Sequence, residues 1–171
     1  RQLGAMENDG LSHTFRAVAE PGQSHFLLTR VFDARRELVF DASTQPQHLR
    51  QWWGPYGHTM TLCEIDLRVG GAWRHALRAP DGSEHPFKGV YLEIDRPCRL
   101  VHTFIYDADG FREYGAVVTT TFEERGGKTM ATSTTVHKSV ESRDGHFNSG
   151  SGGMRETYER LAKLLARLAA A

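Results

Sequence analysis

The sequence predicts an α+β protein in which a curved antiparallel sheet of seven strands wraps a long C-terminal helix, with two short helices near the start. Three observations carry this. The last nineteen residues hold one apolar stripe of helical period. Between Thr59 and His137 the chain reads as six alternating segments of about eight residues, separated by Gly, Pro and Asp. The links between those segments are short, which favours antiparallel neighbours.

In the helix, Met154, Tyr158, Leu161, Leu165 and Leu168 fall at steps of four, three, four and three. Glu156 stands four residues before Arg160, and Glu159 four before Lys163, the favourable order for ion pairs on a helix. Gly150, Gly152 and Gly153 are expected to end the preceding segment, with Ser151 as a cap. Burying the stripe contributes on the order of 7–15 kcal/mol before entropy is subtracted. Only a sheet is broad enough to cover it. The N-terminal half of the helix, Met154 and Tyr158, is expected to roof a cavity left open at one end of the concave face.

The remaining elements follow in order. Residues 1 to 22 are polar and Gly-containing without a clean period and are expected to form a mobile arm. Arg rather than Met at position 1 suggests that the first residues are not native and that Met6 is the native start. The folded domain is expected over residues 23 to 171. His25 to Asp33 alternates and predicts the first strand. Ala34 to Phe40 suits a short helix. Ser43 or Thr44 is placed to cap a second, with Pro46 in its first turn. Trp53, Gly54, Pro55, Tyr56 and Gly57 break that helix. Strands are then predicted over 59–67, 72–78, 87–94, 99–106, 114–122 and 129–137. Residues 138 to 152 are polar and Gly-rich and predict a linker.

Composition bounds the function. Of 171 residues, 39% are apolar and 25% charged, as in an ordinary globular domain. Twenty-one basic residues balance twenty-one acidic ones, so no general field draws the chain to nucleic acid or to an anionic membrane. No run approaches the roughly 20 apolar residues of a membrane span, and no signal peptide is visible. Cys63 and Cys98 are far apart and lack metal or redox spacing, which suits a reduced, cytoplasmic setting.

The candidate site follows from strand parity. Trp73, His75 and Leu77 share one face of their strand; His102, Phe104 and Tyr106 share one face of another. If those faces are concave, they line the cavity with Met154, Tyr158 and Leu161 from the helix and Trp53 from the helix–sheet turn. His75 or His102 would then orient a polar end of a guest. The plainer reading makes each histidine a satisfied core residue and Trp53 and Tyr56 simple packing. Glu93, beside Asp95 near a turn, is a general acid or base only if buried, and otherwise pairs with an Arg. His137 is a third strand histidine, but the scattered spacing offers no zinc motif, so no metal and no cofactor are expected. Ser149 to Gly153 lacks the Lys of a phosphate-binding loop. No Ser-His-Asp or Cys-His set is proposed, so no catalytic residue is assigned.

Several runs resemble one family. WWGPYG at Trp52 to Gly57, GGAWRHALRAPDG at Gly70 to Gly82, GVYLEIDRPCRLVHTF at Gly89 to Phe104 and GMRETYERLAKLL at Gly153 to Leu165 are similar to homologues of the activator of the ninety-kilodalton heat-shock chaperone's ATPase. The family lies in the START-like (SRPBCC) superfamily. The resemblance covers residues 24 to 169 and implies a helix-grip fold. One departure is Met154, where the family often has Trp after the glycine. For stand-alone members the resemblance implies a small-molecule binder of hydrophobic or amphipathic ligands. The superfamily also contains polyketide cyclases and hydrolases, which would use a cavity His or Glu. The family's name points to a chaperone-interacting or stress-response module, although the arm is too short for the namesake's chaperone-binding domain. The sequence does not choose between a monomer and a homodimer paired through a sheet edge.

Overall fold

The computed structural model describes residues 14–171. Eight strands form one antiparallel sheet in the order β1-β2-β8-β7-β6-β5-β4-β3. They are β1 (Arg16–Val18), β2 (His25–Phe32), β3 (Thr59–Ile65), β4 (Ala72–Arg78), β5 (Glu84–Asp95), β6 (Arg99–Tyr106), β7 (Ala116–Arg125) and β8 (Lys128–His137). Two short helices, α1 (Arg36–Ala42) and α2 (Pro46–Trp52), carry the chain from β2 to the far edge, where β3 begins. The long helix α3 runs from Val140 to Ala170. No helix among the described residues is long and apolar enough to cross a membrane.

The predicted alternation is clearest on β4 and β8. Trp73, His75 and Leu77 are buried on β4 while Ala72, Arg74 and Arg78 are exposed. Thr129, Ala131, Ser133, Thr135 and His137 are buried on β8. Register shifts between Met60 and Leu62 on β3, and between Tyr91 and Glu93 on β5, mark bulges. Bulges raise local twist and help the sheet curl.

Three expectations are corrected. The arm expected over residues 1 to 22 supplies an eighth strand: Arg16, Ala17 and Val18 pair with Thr29, Leu28 and Leu27. Phe15 is buried and meets the Tyr158 ring edge-on at 5.4 Å. The domain therefore includes this segment; the first thirteen residues of the expected arm, with Met6, lie outside the described residues. Second, the predicted linker 138–152 is helix from Val140 onward. Ser139, not Ser151, is the cap, and its hydroxyl accepts from the Ser142 amide. Third, neither Ser43 nor Thr44 caps α2. Gln45 holds that position, and the Thr44 hydroxyl donates to the Phe40 carbonyl of the preceding helix.

Tertiary contacts explain how a Gly-rich segment stays helical. Arg143 is buried on α3; its guanidinium donates to the His25 and Glu20 carbonyls at 2.7 and 2.8 Å and pairs with Asp144. It thereby ties the first turn of α3 to the β1–β2 connection. Further along, the charges expected to pair within α3 reach outward instead. Arg160 donates to the Gln51, Gly54 and Pro55 carbonyls, and Glu156 accepts from the Tyr56 amide. The Arg160 bonds thus cap the Gln51 carbonyl in the last turn of α2 and hold the Gly54–Pro55 segment that follows it. Close approach at this contact requires Gly153, where a Cβ would meet the Pro55 ring at 2.9 Å.

Arg143→Met keeps the stem but removes the charged donor from the part-buried His25 and Glu20 carbonyls, of which Glu20 keeps only the Gln23 amide. It is expected to cost about 2–4 kcal/mol, read as a lower urea midpoint at unchanged slope. An unchanged midpoint contradicts the assigned role.

Candidate functional site

The C-terminal half of α3 and the α1–α2 pair fill one part of the concave face. Leu161, Leu164 and Leu165 pack in one cluster with Phe32, Val39, Phe40 and Trp52. Beyond them the helix stands off the sheet and leaves a cavity of about 1030 Å³. All three tryptophans of the chain, Trp52, Trp53 and Trp73, line it. The sheet contributes Phe87 and Tyr91 from β5, Leu100, His102, Phe104 and Tyr106 from β6, Val118 and Thr120 from β7, and Ser133, Thr135 and His137 from β8. Helix α3 contributes Ser142, His146, Met154 and Tyr158. The wall reaches the surface at the β6–β7 connection, where Phe111 and Tyr114 are exposed.

Eight of the nine residues expected at the site line this cavity: Trp53, Trp73, His75, His102, Phe104, Tyr106, Met154 and Tyr158. Leu161 does not. It is core, because there the helix has already closed onto α1 and α2. Tyr56 does not line the cavity: its hydroxyl accepts from Lys163, whose ammonium also lies 5.0 Å over the ring. Glu93 is exposed and pairs with Arg99 at 3.1 Å, outside the cavity. Among the described residues no group of three or more His, Cys, Asp or Glu is placed to hold a metal.

His75 and His102 come together only through Trp73. The indole centroid lies 4.7 Å from the His75 ring and 5.4 Å from the His102 ring. Trp53 meets His75 edge-on at 4.8 Å and Phe87 at 5.2 Å. Trp73 Nε1 and His75 Nδ1 are buried without hydrogen-bond partners. His102 donates Nδ1–H to the Thr103 carbonyl, which leaves Nε2 as an acceptor. Gly89 makes room for the indole and for the β6 backbone: a Cβ there would collide with the Thr103 carbonyl and with Trp73 Nε1.

A polar corner at the start of α3 escaped the sequence reading. His137 bonds through Nδ1 to the Ser142 hydroxyl at 2.8 Å and through Nε2 to His146 Nδ1 at 2.9 Å. The His146 ring lies parallel to Phe104 at 5.4 Å, and its edge meets Phe26 at 5.2 Å. His137 was visible as a strand histidine, and β8 parity marks Ser133 and Thr135. His146 and Ser142 were hidden by the glycines around them, which read as linker.

Burial sets the protonation of these groups. Desolvation, with the neighbouring His137 second, lowers His146 to about 4. Desolvation also lowers His75 to about 4, and moves His102 and His137 downward. The Tyr158 phenol is pushed up to about 12 by burial, opposed by a hydrogen bond with Ser133. At neutral pH these four imidazoles are uncharged and offer hydrogen bonds rather than positive charge.

The profile of the family described as Activator of Hsp90 ATPase homolog 1-like protein matches residues 33–166. The chain belongs to this family. Solved structures similar to this Hsp90 ATPase activator homologue-like chain include a protein of Rhodobacter sphaeroides, 26% identical with TM-score 0.78, covering 90% of this chain and 99% of that one. A Staphylococcus epidermidis protein is 27% identical with TM-score 0.74, covering 86% and 93%. A Mycobacterium smegmatis protein at 22% identity and TM-score 0.80, covering 89% and 97%, shares the fold. Among curated proteins no relative matches. The helix-grip architecture expected from the resemblance is the one observed.

Two outcomes are expected. The unfolded chain takes up protons on histidine near the ordinary value of about 6.5, whereas folded His75 and His146 resist until about 4. Stability is therefore fully present above pH 7 and falls as pH drops from about 6.5 towards 4. The His146→Leu variant should show a shallower fall in Tm between about pH 6.5 and 5, above the range where most carboxylates titrate. Gly89→Ala drives a Cβ into the Thr103 carbonyl of β6 as well as into the Trp73 indole and should cost about 3 kcal/mol or more in urea unfolding.

Proposed function

We propose that this chain is a small-molecule-binding protein that takes a hydrophobic or amphipathic guest between the sheet and the N-terminal half of α3. The observation that carries the reading is the cavity itself: about 1030 Å³, walled by three tryptophans and a run of Phe, Tyr and Leu. Ligand sites of known proteins are concave, mostly apolar and equipped with a few convergent polar groups, and this volume lies at the upper end of their range. Trp53, Trp73, Phe104, Tyr106, Met154 and Tyr158 supply contact area; His75 and His102 supply polar edges. Membership in the activator homologue family agrees with a small-molecule-binding domain. A reducing, cytoplasmic setting suits Cys63 and Cys98, which are both free. The carboxylate expected for the enzyme alternative, Glu93, is exposed and paired with Arg99 outside the cavity, and the one carboxylate on the lining, Glu141, is exposed at the first turn of α3.

Nile red, an uncharged dye whose emission rises in apolar surroundings, is expected to bind with one-to-one stoichiometry. Val118 is half-buried on the cavity wall, and Val118→Trp fills space there. That variant should keep its Tm within a few degrees and lose at least about tenfold in dye affinity. Undiminished binding by a folded Val118→Trp protein would place the dye elsewhere and count against the reading.

A further inference from the structure

A quarter of the chain is charged, yet among the described residues Glu141 is the one charged side chain of the 36 that line the cavity. No Lys or Arg is among them. The nearby cations are committed elsewhere: Arg143 to Asp144 and two carbonyls, Arg160 to three carbonyls, Lys163 to the Tyr56 hydroxyl. Arg50 is exposed on α2 and does not line the cavity. Glu141 is itself exposed at the first turn of α3.

The polar atoms of the wall are also unevenly placed. One end, around Trp53, Trp73, His75 and Phe87, is rings in contact at about 5 Å, where the polar atoms without a partner are the single ring nitrogens Trp73 Nε1 and His75 Nδ1. The other carries Ser133, Thr135, Ser142, His137 and His146, a set of neutral groups that both donate and accept.

We infer that the guest is an uncharged, largely aromatic molecule that presents its keto or hydroxyl groups to the His137–His146–Ser142 corner, and that carboxylates, phosphates and ammonium ions are discriminated against. This rests on the proposed binding function and goes beyond it by fixing the chemical class. A carboxylate or phosphate brought into this space leaves water and finds no cation, while Glu141 repels it at the rim. An unpaired buried charge is among the costliest arrangements in a protein. An ammonium ion gains the ring faces but meets a carboxylate too solvated to replace its hydration. A ketone loses little on transfer and meets donors at the polar corner. The rings flank it on both sides of the cavity, because Phe104 stacks on His146 where the two ends join.

The test uses the full chain and three isosteric probes: acetylpyrene, pyrenecarboxylate and pyrenemethylamine. Affinities are read at pH 8 by calorimetry and by the emission of the tryptophans, all of which face the site. The ketone should bind, with each charged analogue weaker by about tenfold or more. The carboxylate should recover as pH falls towards its own pKa, since protonation makes it neutral. A charged analogue that comes within tenfold of the ketone at pH 8 overturns the inference and leaves the binding function standing. If neither the three probes nor Nile red binds, the binding function fails, and this inference with it.

Discussion

The structure depends on a mismatch of width. Eight strands at about 4.8 Å make a sheet of roughly 38 Å across, and a helix with its side chains covers only about 10–12 Å. One helix cannot hide the whole concave face. The C-terminal half of α3 shares its burden with α1 and α2, and there Leu161, Leu164 and Leu165 close the gap completely. Its N-terminal half has no such help. It lies over the β2–β8 side and touches the sheet through His146, Phe147, Met154 and Tyr158. The space that remains is bounded by strands whose inward residues are aromatic.

That N-terminal half would not be a helix on its own account. Gly145, Gly150, Gly152 and Gly153 each cost roughly 0.5–1 kcal/mol relative to Ala. Against this stand the Ser139 cap, the Arg143 bonds to two carbonyls, the histidine pair and the Phe26–Phe147 contact at 5.3 Å. A cap and a bond from a charged donor contribute about 1 and 1.5–3 kcal/mol respectively, so the anchors outweigh the glycines. Helix here is a product of tertiary packing, and the same packing aims His146 and Ser142 into the cavity.

This explains what was legible beforehand and what was not. Strand parity is local: Trp73, His75 and Leu77 had to share a face, and so did His102, Phe104 and Tyr106, whatever lay above them. The helix stripe was local too, and it placed Met154 and Tyr158 at the cavity roof. Leu161 failed because the stripe reports which side is buried but not whether a second helix has already arrived. The first half of α3 was unreadable because its stability lies in Arg143 reaching a turn more than 100 residues earlier in the chain. The strand at Arg16–Val18 is three residues long and exposed at both ends, so no period could announce it.

A cavity of this size is costly for its lining, which forgoes the dispersion contacts that packed neighbours would supply. The wall nonetheless holds its shape through ring-to-ring contacts that need no guest. Trp53 rests on His75, His75 on Trp73, Trp73 on Phe104, Phe104 on Phe87, and Phe87 on Tyr106. Phe104 also stacks on His146, which His137 holds by a hydrogen bond. The braced wall spans four neighbouring elements, so moving one ring disturbs the next. Such preorganisation means that an entering molecule spends little of its binding free energy on ordering the site. The same bracing bears on the proposed charge discrimination. Rings held by their neighbours do not bring a counter-ion to a guest, so a charged guest would have to keep water with it inside the cavity or stand unpaired, and either course costs it affinity relative to a neutral one.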